Sequence, residues 1–149
     1  MLVQEAMSKD VITVHTDDSI EKCAQILFEK KFSGLPVVDD DGKVLGMVTE
    51  GDLIRRAARI KAPGYLEILG GLVYLGNPNK FVEELKKAMS YRAGDMMSDK
   101  LFSISPDKTI EEAATTMFRE NVKRLPVVDW NEKLVGIISR RDIMRAIYK

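Results

Sequence analysis

The chain repeats itself at a fixed offset. Shifted by 90 residues, residues 7–58 lie over residues 97–148 without a gap, and 16 of the 52 aligned positions are identical. Unrelated segments would agree at about one position in sixteen, so the chain carries a duplicated unit. Whatever it folds into must contain the same small unit twice. A unit with three short strands leaves an apolar face open, and the second unit is there to cover it.

Each copy shows the same succession of local signals. Val11–Val14 and Leu101–Ile104 alternate like a short strand. Ser19 and Thr109 stand at helix N-cap positions, and Thr109 with Glu112 spells a capping box. The helices that follow carry Ile20, Cys23, Ala24, Leu27 and Phe28 in one copy and Ile110, Ala113, Ala114, Met117 and Phe118 in the other, on one expected apolar face. The run Leu-Pro-Val-Val-Asp then occurs twice, at 35–39 and 125–129, too short and too β-rich for a helix. Asp41-Gly42 signals a hairpin turn before a strand at Val44–Thr49, and a second helix is expected at about 51–60 and 141–148. The expectation is an α/β (α+β) fold of two pseudo-twofold-related β-α-β-β-α motifs packed sheet to sheet. Residues 1–60 form the first with its lead-in, 95–149 the second, and 61–94 an inserted connector.

Composition narrows the function. Lys plus Arg and Asp plus Glu each total 23, giving zero formal charge, so a basic excess for coating nucleic acid or an anionic membrane is absent. One cysteine, Cys23, excludes an internal disulfide framework, and one histidine, His15, excludes multi-histidine metal sites. The N-terminus lacks the basic-then-apolar signature of a signal peptide, and no stretch reaches the roughly 18 apolar residues of a membrane span. A cytoplasmic protein is expected. No nucleophile–base pair, metal cluster or phosphate-binding Gly-rich loop suggests catalysis, so no catalytic or metal-ligating residue is assigned. Cys23 reads as a buried inert thiol, His15 as a solvated loop residue, and Asp39-Asp40-Asp41 as a turn. Trp130, in the matching turn, is expected to be exposed or to touch another chain.

Two junctions carry chemistry. Gly46-x-x-Thr49-x-x-Asp52 and Gly136-x-x-Ser139-x-x-Asp142 both place a hydroxyl and a carboxylate where a strand enters a helix. Such a helix start offers free N–H groups to a phosphate, and the carboxylate can accept both hydroxyls of a ribose. The same pattern is also a capping box, in which hydroxyl and carboxylate only satisfy backbone donors.

The run Ser33-Gly34-Leu35-Pro36-Val37-Val38-Asp39, followed by Gly42, Gly46 and Thr49-x-x-Asp52, resembles the CBS domain. Leu125–Asp129, Gly136 and Ser139-x-x-Asp142 repeat it, and Met7-Ser8 and Met97-Ser98 are similar to its usual lead-in. The resemblance covers about two thirds of the chain and implies a tandem pair that binds AMP, ADP, ATP or S-adenosylmethionine between its motifs, with no cofactor required. It implies one cleft of Thr49, Asp52, Phe102, Lys123 and Arg124, and another of Ile12, Ser33, Gly34, Ser139, Asp142, Arg140 and Arg141, the adenine lying against Ile12 or Phe102. Lys123-Arg124 would grip phosphate, or is surface charge; Arg140 and Arg141 would supply phosphate contacts in the second cleft, or face water. The implied function is a regulatory module that senses an adenosine ligand and signals to a partner protein, working as a homodimer. The alternative is a structural dimerisation or interaction module with vestigial clefts. The connector, with its apolar run 65–76 and a helix expected at about 78–89 after Asn77-Pro78, packs over its own domain or meets a partner.

Overall fold

The computed structural model describes residues 1–58, 65–68, 71–74, 79–80, 82–83, 91–98 and 100–149. In chain order its elements are α1 (Val3–Ala6), β1 (Val14–His15), α2 (Ile20–Lys30), β2 (Gly34–Val38), β3 (Val44–Thr49), α3 (Glu50–Ala58), β4 (Tyr65–Ile68), β5 (Gly71–Tyr74), α4 (Ala93–Met96), α5 (Ile110–Arg119), β6 (Arg124–Val128), β7 (Leu134–Ser139) and α6 (Arg140–Ile147).

The copies fold alike because their local signals are alike. The Ser19 side chain accepts the backbone N–H of Lys22 at 3.1 Å and starts α2. At α5 the box closes in both directions, Thr109 Oγ1 accepting from Glu112 N at 3.2 Å and Glu112 Oε2 from Thr109 N at 2.9 Å. In the first copy β1 runs parallel to β2, and β2 runs antiparallel to β3 with Leu35 opposite Val48. In the second, β6 and β7 pair in the matching register, Leu125 opposite Ile138, and the expected leading strand is a single parallel bridge from Ile104 to Val127. Both hairpins carry a register shift, between Val37 and Val38 and between Val127 and Val128. Their turns are held by Asp39 and Asp129, whose Oδ1 atoms accept backbone N–H groups of Asp41 and Lys43 and of Asn131 and Lys133 at 2.8–3.0 Å. The Asp39–Asp41 run is thus a turn device.

Each motif owns a core. Val14, Cys23, Leu27, Leu35, Val37 and Val48 form one, and Ile104, Ile110, Ala113, Met117, Leu125, Val127, Ile138 and Ile143 the other. The lead-ins are exchanged between them. Val3 of α1 is fully buried in the second core, and Ala93 of α4 in the first. Backbone bonds fix the exchange: Val3 N to Lys108 O at 2.7 Å and Ser8 N to Ile137 O at 2.9 Å on one side, Ala93 N to Asp18 O at 2.8 Å and Gly94 N to Thr16 O at 3.0 Å on the other. The turns also meet across the pseudo-twofold, with Leu134 N donating to Gly42 O at 3.1 Å and Lys43 Nζ 2.7 Å from Glu132 Oε2.

Phe28 and Phe118 depart from expectation. The spacing places both on the apolar face, yet they are 86% and 88% exposed. Each lies one residue beyond a buried Leu27 or Met117, about 100° further round the helix, which carries it off the stripe facing the core. His15 lies on β1 rather than in a connection, with its ring 3.8 Å from Asp40. Cys23 is buried, and burial pushes its thiol pKa up, as suits an inert thiol. Trp130 is exposed. In the connector, β4 and β5 pair antiparallel from Tyr65 opposite Tyr74 to Ile68 opposite Gly71. The helix expected at about 78–89 falls largely outside the described residues; 79, 80, 82 and 83 are helical.

Candidate functional site

The two strand-to-helix junctions are built alike. Asp142 Oδ2 accepts the Ser139 backbone N–H at 2.8 Å and its hydroxyl at 2.6 Å, while Ser139 Oγ accepts Asp142 N at 3.3 Å. Asp52 Oδ2 likewise accepts Thr49 N at 2.8 Å and the Thr49 hydroxyl at 2.9 Å. The capping role is therefore present in both copies, and it uses one carboxylate oxygen of each aspartate. The copies differ in the other oxygen. Asp52 Oδ1 is taken by the Arg55 guanidinium. Asp142 Oδ1 has no hydrogen-bonding partner among the described residues.

Around Asp142 lies a cleft of about 720 Å³. Its lining gathers Ile12, Ser33, Gly34, Ser139, Arg140, Arg141 and Asp142 from β7, α6, the segment before β1 and the start of β2. Lys123 and Arg124 line it as well. The expected grouping set that pair with Thr49, Asp52 and Phe102, none of which lines this cleft. The cavity beside Asp52 is about 150 Å³ and is lined by Arg55, Arg56, Asp95 and Met96 rather than by Lys123, Arg124 or Phe102. Phe102 packs against the second core. The physical reason is position: Gly34 and Arg124 start the equivalent strands β2 and β6, and the arginine is long enough to cross to the other copy. It donates through Nη1 to Gly34 O at 3.2 Å and through Nη2 to the Ser33 hydroxyl. Near Asp52, the Arg56 guanidinium stacks on the Tyr91 ring at 3.4 Å from its centroid, which further fills that side.

The charge in the large cleft is one-sided. Lys30, Lys31, Lys123, Arg124, Arg140, Arg141 and Arg145 face only Asp10 and Asp142, in a chain whose formal charge is zero. None of those seven cations lies in an ion pair among the described residues. Arg124 is the most enclosed. Burial pulls its pKa down, Glu50 and Asp142 pull it up, and it stays charged across the physiological range. Its Nε is buried and has no hydrogen-bonding partner among the described residues.

The CBS domain description matches residues 3–59 and again residues 93–149. The chain belongs to the CBS domain family. As a CBS pair it is 32% identical to the uncharacterized protein MJ1426 of Methanocaldococcus jannaschii over 99% of this chain and 91% of that one. It is 30% identical to the inosine-5'-monophosphate dehydrogenase of the same organism, but spans only 22% of that enzyme. Among solved structures, CBSX2 in complex with AMP is similar with a TM-score of 0.74 at 26% identity, covering 97% of this chain and 94% of that one. The CBS domain pair of MJ0100 in complex with 5'-methylthioadenosine and S-adenosyl-L-methionine is similar with a TM-score of 0.73 at 26% identity, covering 98% of both chains. Among the described residues of this CBS pair, no helix is long and apolar enough to cross a membrane.

Sequence reasoning overlooked Lys30, Lys31 and Arg145. A signal for the first two was available: they end α2 directly before the Ser33-Gly34 loop, so a loop placed at a cleft brings its preceding helix end with it.

Proposed function

We propose that this CBS pair is a regulatory module that binds one adenosine-type ligand in the cleft between Ser139–Asp142 and Ser33–Gly34. The observation that carries the reading is that Asp142, whose Oδ1 has no hydrogen-bonding partner among the described residues, lines a cleft that Arg124 also lines. In this reading Asp142 accepts the ribose hydroxyls, Ile12 offers an apolar surface to the adenine, and a phosphate meets Ser139, the α6 N-terminus and Arg124. The three ligands seen with CBSX2 and MJ0100, all adenosine compounds, support the class. The Thr49–Asp52 side is secondary, because Arg55 already occupies the ribose-accepting oxygen. The module is not itself an enzyme; ligand occupancy alters how it presents its outer helices to a regulated partner.

The test is calorimetric titration and thermal shift with adenosine, AMP, ADP, ATP and S-adenosylmethionine. Binding raises the melting temperature with ligand concentration. No rise with any of them would reject the reading in favour of an interaction module with vestigial clefts. That second reading has its own observation: Phe28 with Phe118 and Ile54 with Met144, each pair equivalent by the repeat, are all more than 60% exposed.

A further inference from the structure

Arg124 and Asp142 account for a ribose and the first phosphate, but not for the cations further out. Lys30 and Lys31 end α2, while Arg140, Arg141 and Arg145 lie on α6, so two separate elements aim unpaired positive charge into one cavity. The repeat supplies an internal comparison. At the equivalent positions the other copy has Glu120, Asn121, Glu50, Gly51 and Arg55, and Arg55 is neutralised by Asp52. Two motifs that share their caps, hairpins and register thus differ in charge at four of these five positions, 30, 31, 140 and 141, and in the ion pairing of the fifth.

Isolated surface lysines contribute little, since water and salt screen them. Five cations converging on one concave surface act differently, because their potentials add and low-dielectric walls focus them. The geometry points to a polyphosphate subsite: the cleft selects adenosine di- and triphosphates over the monophosphate, and over sulfonium compounds such as S-adenosylmethionine, through Lys30, Lys31, Arg140, Arg141 and Arg145. This rests on the adenosine reading given above and names its ligand class. The β- and γ-phosphates extend past Arg124 toward the α2 C-terminus, where Lys30 and Lys31 offset the negative end of the helix dipole that would otherwise repel them. S-adenosylmethionine brings a positive sulfonium to the place where the cleft is already positive.

The deciding experiment is calorimetry with AMP, ATP and S-adenosylmethionine on the full chain, at low and at raised salt, for wild type and for Lys30→Glu/Lys31→Asn. That double variant installs the residues the second motif carries at Glu120 and Asn121, and Asn121 (φ 52°) holds the same left-handed backbone as Lys31 (φ 54°), so the fold accepts it. The expected result is that ATP binds about tenfold or more tightly than AMP, that salt narrows the difference, and that the double variant lowers ATP affinity far more than AMP affinity. Equal affinities for AMP and ATP, an ATP-to-AMP ratio the variant leaves unchanged, or S-adenosylmethionine binding more tightly than AMP would each overturn the inference while the adenosine reading stands. Failure of every adenosine compound to bind would remove that reading, and the polyphosphate subsite with it.

Discussion

Asp52 and Asp142 hold the same repeat position, make the same capping bonds, and diverge only through their third neighbour on the helix. Arg55 reaches back to Asp52, whereas Arg145 leaves Asp142 alone and lines the cleft. Replacing either aspartate by alanine should cost about 1 kcal/mol of stability through the lost cap. Only Asp142→Ala should also weaken adenosine and AMP together, by at least about tenfold, since one charge-assisted hydrogen bond contributes about 1.5–3 kcal/mol. Titration of both variants checks this; similar losses of affinity would mean that both clefts bind. Asp18 gives a pH signature. The backbone N–H of His15, donating at 2.8 Å, holds its carboxyl below the ordinary value of 3.8 against the opposing effect of burial, with help from Lys22 at 3.0 Å. A carboxylate depressed by folding contributes stability above its unfolded pKa and loses it as the pH falls through the folded value. Asp18→Asn should therefore lower stability at neutral pH by about 1 kcal/mol, and the gap to wild type should close as the pH drops below 3.8. Melting curves across that range would show it.

The elements reveal an exchange that no single helix or strand discloses. α1 docks on the second motif and α4 on the first, each across a glycine in the facing strand. A Cβ at Gly46 would sit 2.9 Å from Met97 Sδ and 3.2 Å from its Cβ, and Gly136 is covered by Met7 in the same way. These glycines serve close approach, not a turn. The local pieces were legible: Ser19 and Thr109 start their helices, and both Leu-Pro-Val-Val runs are strands. The leading strands are shorter than their alternation predicts, since among the described residues of those runs only Val14–His15 and Ile104 pair with a neighbouring strand. Alternation marks which residues suit a sheet, whereas strand length depends on how much neighbouring backbone is available to pair. The exchange predicts that Val3→Ala, which truncates a fully buried side chain, destabilises the protein by about 1.5–3 kcal/mol. Hydrogen exchange should speed up in α5 and β7 more than in α2 and β3. Loss of protection confined to the first motif would contradict the docking seen here.

At the scale of the whole molecule, the outer helices leave an apolar surface that neither core uses. Phe28 and Phe118 are more than 85% exposed, and Ile54, Met144 and Tyr148 are also open to solvent. Exposed apolar residues repeated by a pseudo-twofold suit a self-complementary contact, and closed twofold dimers are the commonest soluble assembly. We therefore expect light scattering to give twice the 16.8 kDa chain mass, and Phe28→Glu/Phe118→Glu to return the protein to monomer without lowering its cooperative melting. A monomeric wild type at tens of micromolar would reject the dimer and leave those faces to another partner.

The sequence by itself determined the duplicated unit, its helix caps, its hairpin turn at Asp41-Gly42 and the two hydroxyl–carboxylate junctions. All of these rest on contacts a few residues apart, and such contacts leave a direct imprint on residue type and spacing. Only the tertiary structure decided which core each lead-in enters, which cleft receives Arg124, and which aspartate keeps a free oxygen. A repeat makes those choices invisible in one dimension: exchanging equivalent segments across a pseudo-twofold leaves every local pattern unchanged. The choice falls to chain reach and to long side chains such as Arg124, whose Nη atoms meet Ser33 and Gly34 some 90 residues away.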